Sequence, residues 1–162
     1  MKTSDDGLAL IKRFEGCILG AYDDDDDRVV LPGERVYGAL TIGYGHTSVA
    51  GPPRVYVGQT ITAADADAIL AADLASVELE VGHLVKVELK QNQFDALVSF
   101  QFNTGWLAHQ HCSLLTALNA GKYQLADQDF MLYDRSAGKV LQGLCRRRAA
   151  ERDLFNGGPV NA

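Results

Sequence analysis

Glu15-Gly16-Cys17-Ile18-Leu19-Gly20-Ala21-Tyr22-Asp23-Asp24 and, further on, Thr41-Ile42-Gly43-Tyr44-Gly45-His46-Thr47 are the stretches on which the reading of this chain turns. Ser4-Asp5-Asp6 has the form of a helix N-cap with an acidic first turn, and Leu8, Ile11 and Phe14 then recur at helical spacing until Gly16 interrupts them. Glu15 therefore falls at the end of a short helix, and Asp24 follows nine positions later, past a turn. Two carboxylates separated in this way can stand on opposite walls of a cleft rather than on one helix face. Cleavage of a glycosidic bond uses such a pair, and inverting enzymes hold the two carboxyls ~6.5–9.5 Å apart so that a water fits between them. Thr41 adds a hydroxyl on a strand punctuated by glycine.

The rest of the chain sets the limits within which that site must be built. At 162 residues and 47% apolar composition it can bury the core of one domain. No run approaches the ~18–20 apolar residues of a membrane span, and Met1-Lys2-Thr3-Ser4-Asp5-Asp6 lacks the apolar segment of a secretory signal, which points to synthesis in a cytoplasm. The net charge is −6, with 6 basic and 14 acidic side chains in residues 1–80 against 9 and 7 in residues 81–162. That balance argues against a nucleic-acid binder, whose affinity comes mainly from neutralising phosphates. Cys17, Cys112 and Cys145 show no metal or redox spacing and read as small packing residues.

From Tyr22 to Gly51, β-branched and aromatic residues broken by turn residues predict a small antiparallel sheet, with Arg28-Val29-Val30-Leu31, Arg35-Val36-Tyr37 and Leu40–Tyr44 as strands. Thr62-Ala63-Ala64-Asp65 resembles a capping box and opens a long helix with Leu70, Leu74, Val77 and Val81 on one face. Everything beyond reads as helix: about 91–104, with Phe94, Leu97, Val98 and Phe102 apolar; about 113–120; about 123–133; and a last one from near Leu141 to before Asn156.

Several conspicuous clusters carry weaker signals. Asp23 to Asp27 reads as a solvated loop kept extended by its own charge, since the alternation and distal Glu of an EF-hand are missing. Gly43-Tyr44-Gly45 is not a phosphate loop, because no Gly-Lys-Ser/Thr follows. His46 reads as structural, paired with a carboxylate. His109, His111 and Cys112 lie too close together to close a metal site without a distant ligand, so no metal is expected. On a helix Arg146, Arg147 and Arg148 point three ways, so one of them should turn inward to an ion pair.

Taken together, Phe14-Glu15-Gly16, Ala21-Tyr22, Thr41–Thr47, Gln91–Phe100, Gly138–Leu141 and Gly143–Arg152 resemble the signatures of the phage-type lysozymes, the endolysin muramidases of glycoside hydrolase family 24, over essentially the whole chain. The resemblance implies an α+β, mostly helical, lysozyme-like fold in one catalytic domain, with lobes of about 1–62 and 83–162 joined by a helix of about 63–82. It also implies hydrolysis of the β-1,4 bond between N-acetylmuramic acid and N-acetylglucosamine in bacterial peptidoglycan. The enzyme would act as a monomer, without cofactor, nucleic-acid partner or stable membrane association, and would be made in the host bacterial cytoplasm before release to the wall. The alternatives are a lytic transglycosylase and a non-catalytic glycan-binding relative.

The same resemblance implies that Glu15 is the general acid, Asp24 the carboxylate acting on water and Thr41 the hydroxyl orienting it. His46 would pair with Asp73, Asn103 would contact substrate, and one of Lys139 and Arg146–Arg148 would face Glu15. The family motif has eight residues between Glu and Asp, as here, and five between Asp and Thr. Sixteen lie between Asp24 and Thr41, so the hairpin is enlarged by about eleven residues, and Asp23 or Asp25 stands as the alternative to Asp24 if the register shifts.

Overall fold

A computed structural model gives the fold of residues 1–160. The chain divides into two compact units, residues 15–75 and residues 1–14 with 76–162.

The unit of residues 15–75 is built on a four-stranded sheet. Strands β1 (Ile18–Asp23), β2 (Arg28–Val29), β3 (Leu40–Gly43) and β4 (His46–Thr47) are ordered β2-β1-β3-β4, and every pairing is antiparallel. Tyr22 lies opposite Val29 on one side and Thr41 on the other, which brings the threonine of the Thr-Ile-Gly motif beside the strand that leads into the aspartates. Ala21, Ile42 and Val55 form the unit's core, with Leu40 and Ile61 packed against it. Gly43 and Gly45 take positive φ of 66° and 85°, as the tight turn between β3 and β4 requires. Two expectations are corrected here. The sheet starts at Ile18 rather than Tyr22, and Arg35-Val36-Tyr37 is not a strand. The Tyr37 amide donates to the Asp23 carboxylate at 2.6 Å, so it is lost to any ladder.

Helix α1 (Asp5–Glu15) precedes the sheet, and α2 (Ala63–Leu84) follows it. The expected capping box opens α2: Thr62 N–H and Oγ1 donate to Asp65 Oδ2 at 2.9 and 2.7 Å, and Asp65 N–H returns to Thr62 Oγ1 at 3.1 Å. The boundary between the units falls within α2, between Ala75 and Ser76.

The other unit is helical: α3 (Gln91–Thr104), α4 (Ser113–Asn119), α5 (Tyr123–Asp129) and α6 (Gln142–Phe155), with short 3-10 turns at Trp106–Ala108 and Phe130–Leu132. The helix expected to run to residue 133 thus tightens after Asp129. A second departure is a small hairpin, β5 (Arg135–Ser136) and β6 (Lys139–Val140), where only helix was expected. Its two-residue turn holds Ala137 at φ 48° and Gly138 at φ 79°, the left-handed pair that matches the twist of a hairpin.

Helix α3 is the centre of this unit, buried on every side from Phe94 to Gln101 rather than along one stripe. Phe100 meets the Phe130 and Tyr133 rings edge-on, with centroids 5.5 and 4.9 Å apart. Two carboxylates inside this packing each draw several donors. Asp95 accepts from Ser4 N–H at 3.0 Å and from its hydroxyl at 2.5 Å, tying the cap of α1 to α3. Glu78, on the apolar stripe of α2, accepts from Thr3 N–H and Oγ1, both at 2.8 Å, and from Lys2 Nζ at 2.7 Å. Of the three cysteines, all free thiols, Cys112 is buried as a packing residue should be, whereas Cys17 is exposed and does not fit that role.

Two of the three consecutive arginines turn inward, not one: Arg147 and Arg148 are buried and Arg146 is exposed. The cause is Glu151, one turn further along α6 and fully buried. It faces Arg147 Nε at 3.2 Å and Arg148 Nε at 3.1 Å, and it accepts from Ser99 Oγ at 2.8 Å. Removing one member of such a group leaves buried charge without its counter-ion, which costs about 3–5 kcal/mol. Glu151→Gln should therefore lower the unfolding free energy by about that amount, read from the urea midpoint at constant m value.

Candidate active site

Each proposed catalytic side chain is placed by a different local device within residues 15–75. Glu15 is the last residue of α1, half-buried, where Gly16 at φ 69° ends the helix. Asp24 is the first residue past β1 and Thr41 the second of β3. Tyr22 lies on β1 opposite Thr41, and its phenol is pushed above its usual pKa first by burial and then by the negative charges of Asp27, Asp24 and Glu15. Glu15 and Asp24 are thus both within electrostatic reach of one phenolic oxygen.

Asp24 and Thr41 are joined more directly, through the peptide of Ala39. Asp24 N–H donates to Ala39 O at 3.1 Å, and Thr41 Oγ1 donates to the same oxygen at 3.1 Å. Ala39 N–H donates to Asp24 Oδ1 at 2.5 Å, a short charge-assisted bond that fixes one oxygen of an otherwise exposed carboxylate. The Thr41 side chain is almost wholly buried, and with its hydrogen committed to Ala39 O the hydroxyl is left with lone pairs to offer.

The five aspartates are not an extended, self-repelling loop. Asp24–Asp27 close a tight turn between β1 and β2, and Asp23 anchors it from inside. Asp23 is 1% exposed and accepts from Tyr37 N–H at 2.6 Å, Gly38 N–H at 2.9 Å and Asp25 N–H at 3.2 Å. Both of its oxygens are used, so Asp23 is a fastening of the hairpin. Asp25, Asp26 and Asp27 are exposed, and Asp26 serves the turn by accepting from Arg28 N–H at 3.2 Å.

His46 is buried, with Nδ1 2.9 Å from Asp73 Oδ2 and Nε2 2.8 Å from Pro53 O, so it bridges α2 and the loop before it. Tyr44 donates to Asp67 at 3.1 Å, and its phenol is pushed up to about 12 by burial and then by that carboxylate. In the helical unit, Asn103 is exposed near the end of α3, where its Oδ1 accepts from Arg148 Nη2 at 2.5 Å. It lines a groove of about 540 Å³ together with Trp106, Leu132, Tyr133, Arg135 and Leu144. Aromatic faces beside polar groups suit a sugar or peptide ligand. Among the described residues no His, Cys, Asp or Glu cluster could hold a metal ion, and no helix is long and apolar enough to cross a membrane.

Sequence reasoning named Glu15, Asp24, Thr41, His46, Asp73 and Asn103, and it did not name Tyr37, Gly38 and Ala39. These three act through backbone amides, which leave no side-chain signal; a glycine following an aromatic in the hairpin is the one hint.

A small antiparallel sheet bearing carboxylates and a threonine, together with a helical unit centred on one buried helix, defines a lysozyme-like protein. A phage lysozyme family model matches residues 12–151, and the chain belongs to that family. It is 44% identical over 158 residues to an endolysin of Bacillus phage PZA, covering 98% of this chain and 56% of that relative. It is 40% identical over 155 residues to the endolysin of Salmonella phage P22, covering 96% and 98%. The chain therefore spans little more than half the length of the Bacillus phage relatives and nearly all of the P22 protein. Among solved structures, an endolysin from Escherichia coli O157:H7 phage FAHEc1 superposes with a TM-score of 0.80 at 35% identity, covering 96% of this chain and 93% of that one.

The Asp23 fastening has a pH signature. Amide donation, led by Tyr37, holds its carboxyl below the usual range in the folded chain. A carboxyl depressed by folding contributes stability above its unfolded pKa of about 3.9 and loses it as pH falls through the folded value. Asp23→Asn should lower Tm at pH 7 and make Tm fall less steeply than in the parent below about pH 4, as followed by circular dichroism.

Proposed function

We propose that this chain is a muramidase domain of the endolysin type, hydrolysing the β-1,4 bond between N-acetylmuramic acid and N-acetylglucosamine in bacterial peptidoglycan. The observation that carries the proposal is the joining of Asp24 and Thr41 at Ala39, whose N–H holds the carboxylate and whose carbonyl holds the hydroxyl. A site that had only to bind a glycan would not need a carboxylate held by Ala39 N–H and a hydroxyl held by Ala39 O.

In the reaction, Glu15 gives its proton to the bridging oxygen as the bond from the sugar C1 to that oxygen breaks. Water, accepted by Thr41 Oγ and by the free oxygen of Asp24, attacks C1 from the opposite face and passes a proton to Asp24. The anomeric configuration inverts, and a reducing sugar end is released. Asn103 and the Trp106 groove supply substrate contacts, while the His46–Asp73 bridge holds the sheet unit in shape. The enzyme works as a monomer without cofactor, and a net charge of −6 speaks against nucleic acid as a partner. Kinship with phage endolysins supports synthesis in the host cytoplasm and later release to the wall.

A transglycosylase would need the acid but no water-activating carboxylate. Mass spectrometry of released muropeptides should therefore show reducing N-acetylmuramic acid ends, and 1,6-anhydro ends would overturn the hydrolytic reading. Asp24→Asn should reduce turnover by about 10²–10⁴-fold, whereas Asp26→Asn should leave it within about twofold of the parent. Equal losses from both would remove Asp24 from its role, and binding to the wall with no clearing by the unaltered protein would favour a glycan-binding relative.

A further inference from the structure

We infer that Gly38 is a positioning residue for Asp24, its missing side chain being what allows the Ala39 amide to hold the carboxylate. The inference rests on the catalytic reading of Asp24 given above and adds to it the part of the enlarged hairpin that holds the aspartate.

The argument begins with space. A Cβ built on Gly38 would collide with Asp24 Oδ1 and lie 2.8 Å from Asp23 Oδ1 and 3.1 Å from Asp25 N. Gly38 is not among the residues with positive φ, so its backbone is one an alanine can adopt. The glycine is therefore needed for the close approach of two carboxylates rather than for its own conformation. Gly38 N–H holds Asp23 at 2.9 Å, and the next amide, Ala39 N–H, holds Asp24 at 2.5 Å. Two adjacent amides thus grip two adjacent aspartates, one buried and one exposed.

Function enters through the second of these bonds. An exposed carboxylate at the start of a turn has free rotation about two bonds, and a general base must hold a water in line with the sugar C1. Oδ1 is pinned by Ala39 N–H, so Oδ2 is left for the water, while Ala39 O simultaneously orients the Thr41 hydroxyl. A methyl group at position 38 pushes Oδ1 off the amide and swings Oδ2 away from that line.

Gly38→Ala should thus lower kcat by about a hundredfold with KM within about twofold of the parent, measured on purified peptidoglycan well below either Tm. In an Asp24→Asn background Gly38→Ala should cost nothing more, because the group through which it acts is already gone. A Gly38→Ala enzyme with parental kcat, beside an inactive Asp24→Asn enzyme, overturns the inference and leaves the catalytic reading intact. Parental turnover in Asp24→Asn overturns the catalytic reading and the inference with it. If Gly38→Ala does not fold, Gly38→Ala with Asp24→Ala decides the matter. A folded double variant places the clash at Asp24, as inferred, and an unfolded one assigns Gly38 to the Asp23 fastening alone.

Discussion

The carboxylate of Asp23, sunk beneath its own hairpin and bonded to three backbone amides, is the interaction on which the candidate site depends. A buried ionised group is costly unless donors replace the water it gave up. Here the donors are Asp25, Tyr37 and Gly38, two residues after the aspartate and fourteen and fifteen after it. One side chain thereby closes the turn on its near side and holds the return limb of the hairpin on its far side. With the return limb fixed, Ala39 falls next to Asp24, and its peptide can serve the aspartate with one end and Thr41 with the other.

The helical unit solves a similar problem by other means. Helix α3 is buried all round, so each of its polar residues has to meet a specific partner: Ser4 for Asp95, Glu151 for Ser99, Glu80 and the Leu107 amide for Gln101. These pairings add little net energy, but they exclude other rotations of α3, since any turn of the helix would strand a polar group without a partner. Arg148 belongs to the same set. It is clamped by Glu151 on one side and lies over the Phe100 ring at 5.0 Å, and from there it reaches Asn103, so the end of α3 that bears the proposed substrate contact is tied to the buried charges of α6.

What could be read from the sequence follows from how each feature is encoded. Helices α3 and α4 were legible because apolar spacing ends at Gly105 and Gly121, and the cap of α2 because Thr62 and Asp65 carry its chemistry in their side chains. The family signatures single out Glu15 and Thr41 as candidates for the same reason. The β5–β6 hairpin was not legible, since Arg135-Ser136 and Lys139-Val140 offer little β-branched character and Ala137 gives no sign of a left-handed turn. Nor could the sequence choose between Arg146, Arg147 and Arg148, because the choice depends on where Glu151 is buried. The grip on Asp24 was hidden most completely, being made of amides that every residue but proline possesses.

The long interval between Asp24 and Thr41 looks disruptive when counted along the chain, but in the sheet it is not. Tyr22 pairs with Thr41 and Asp23 with Leu40, and the bond from Asp24 N–H to Ala39 O is the next step of the same ladder. The added residues leave after Asp24 and return before Ala39, so the relation between aspartate and threonine is set by ladder register, whatever lies between. Lengthening a loop from five to sixteen residues costs only about 1 kcal/mol of closure entropy. Part of the added segment recovers that by pairing as β2 along the free edge of β1, and Asp23 takes up the amides of its return limb. The family's short interval is thus one way to meet a constraint of register, and this chain meets it with a longer hairpin that needs Asp23 and Gly38 to hold its ends.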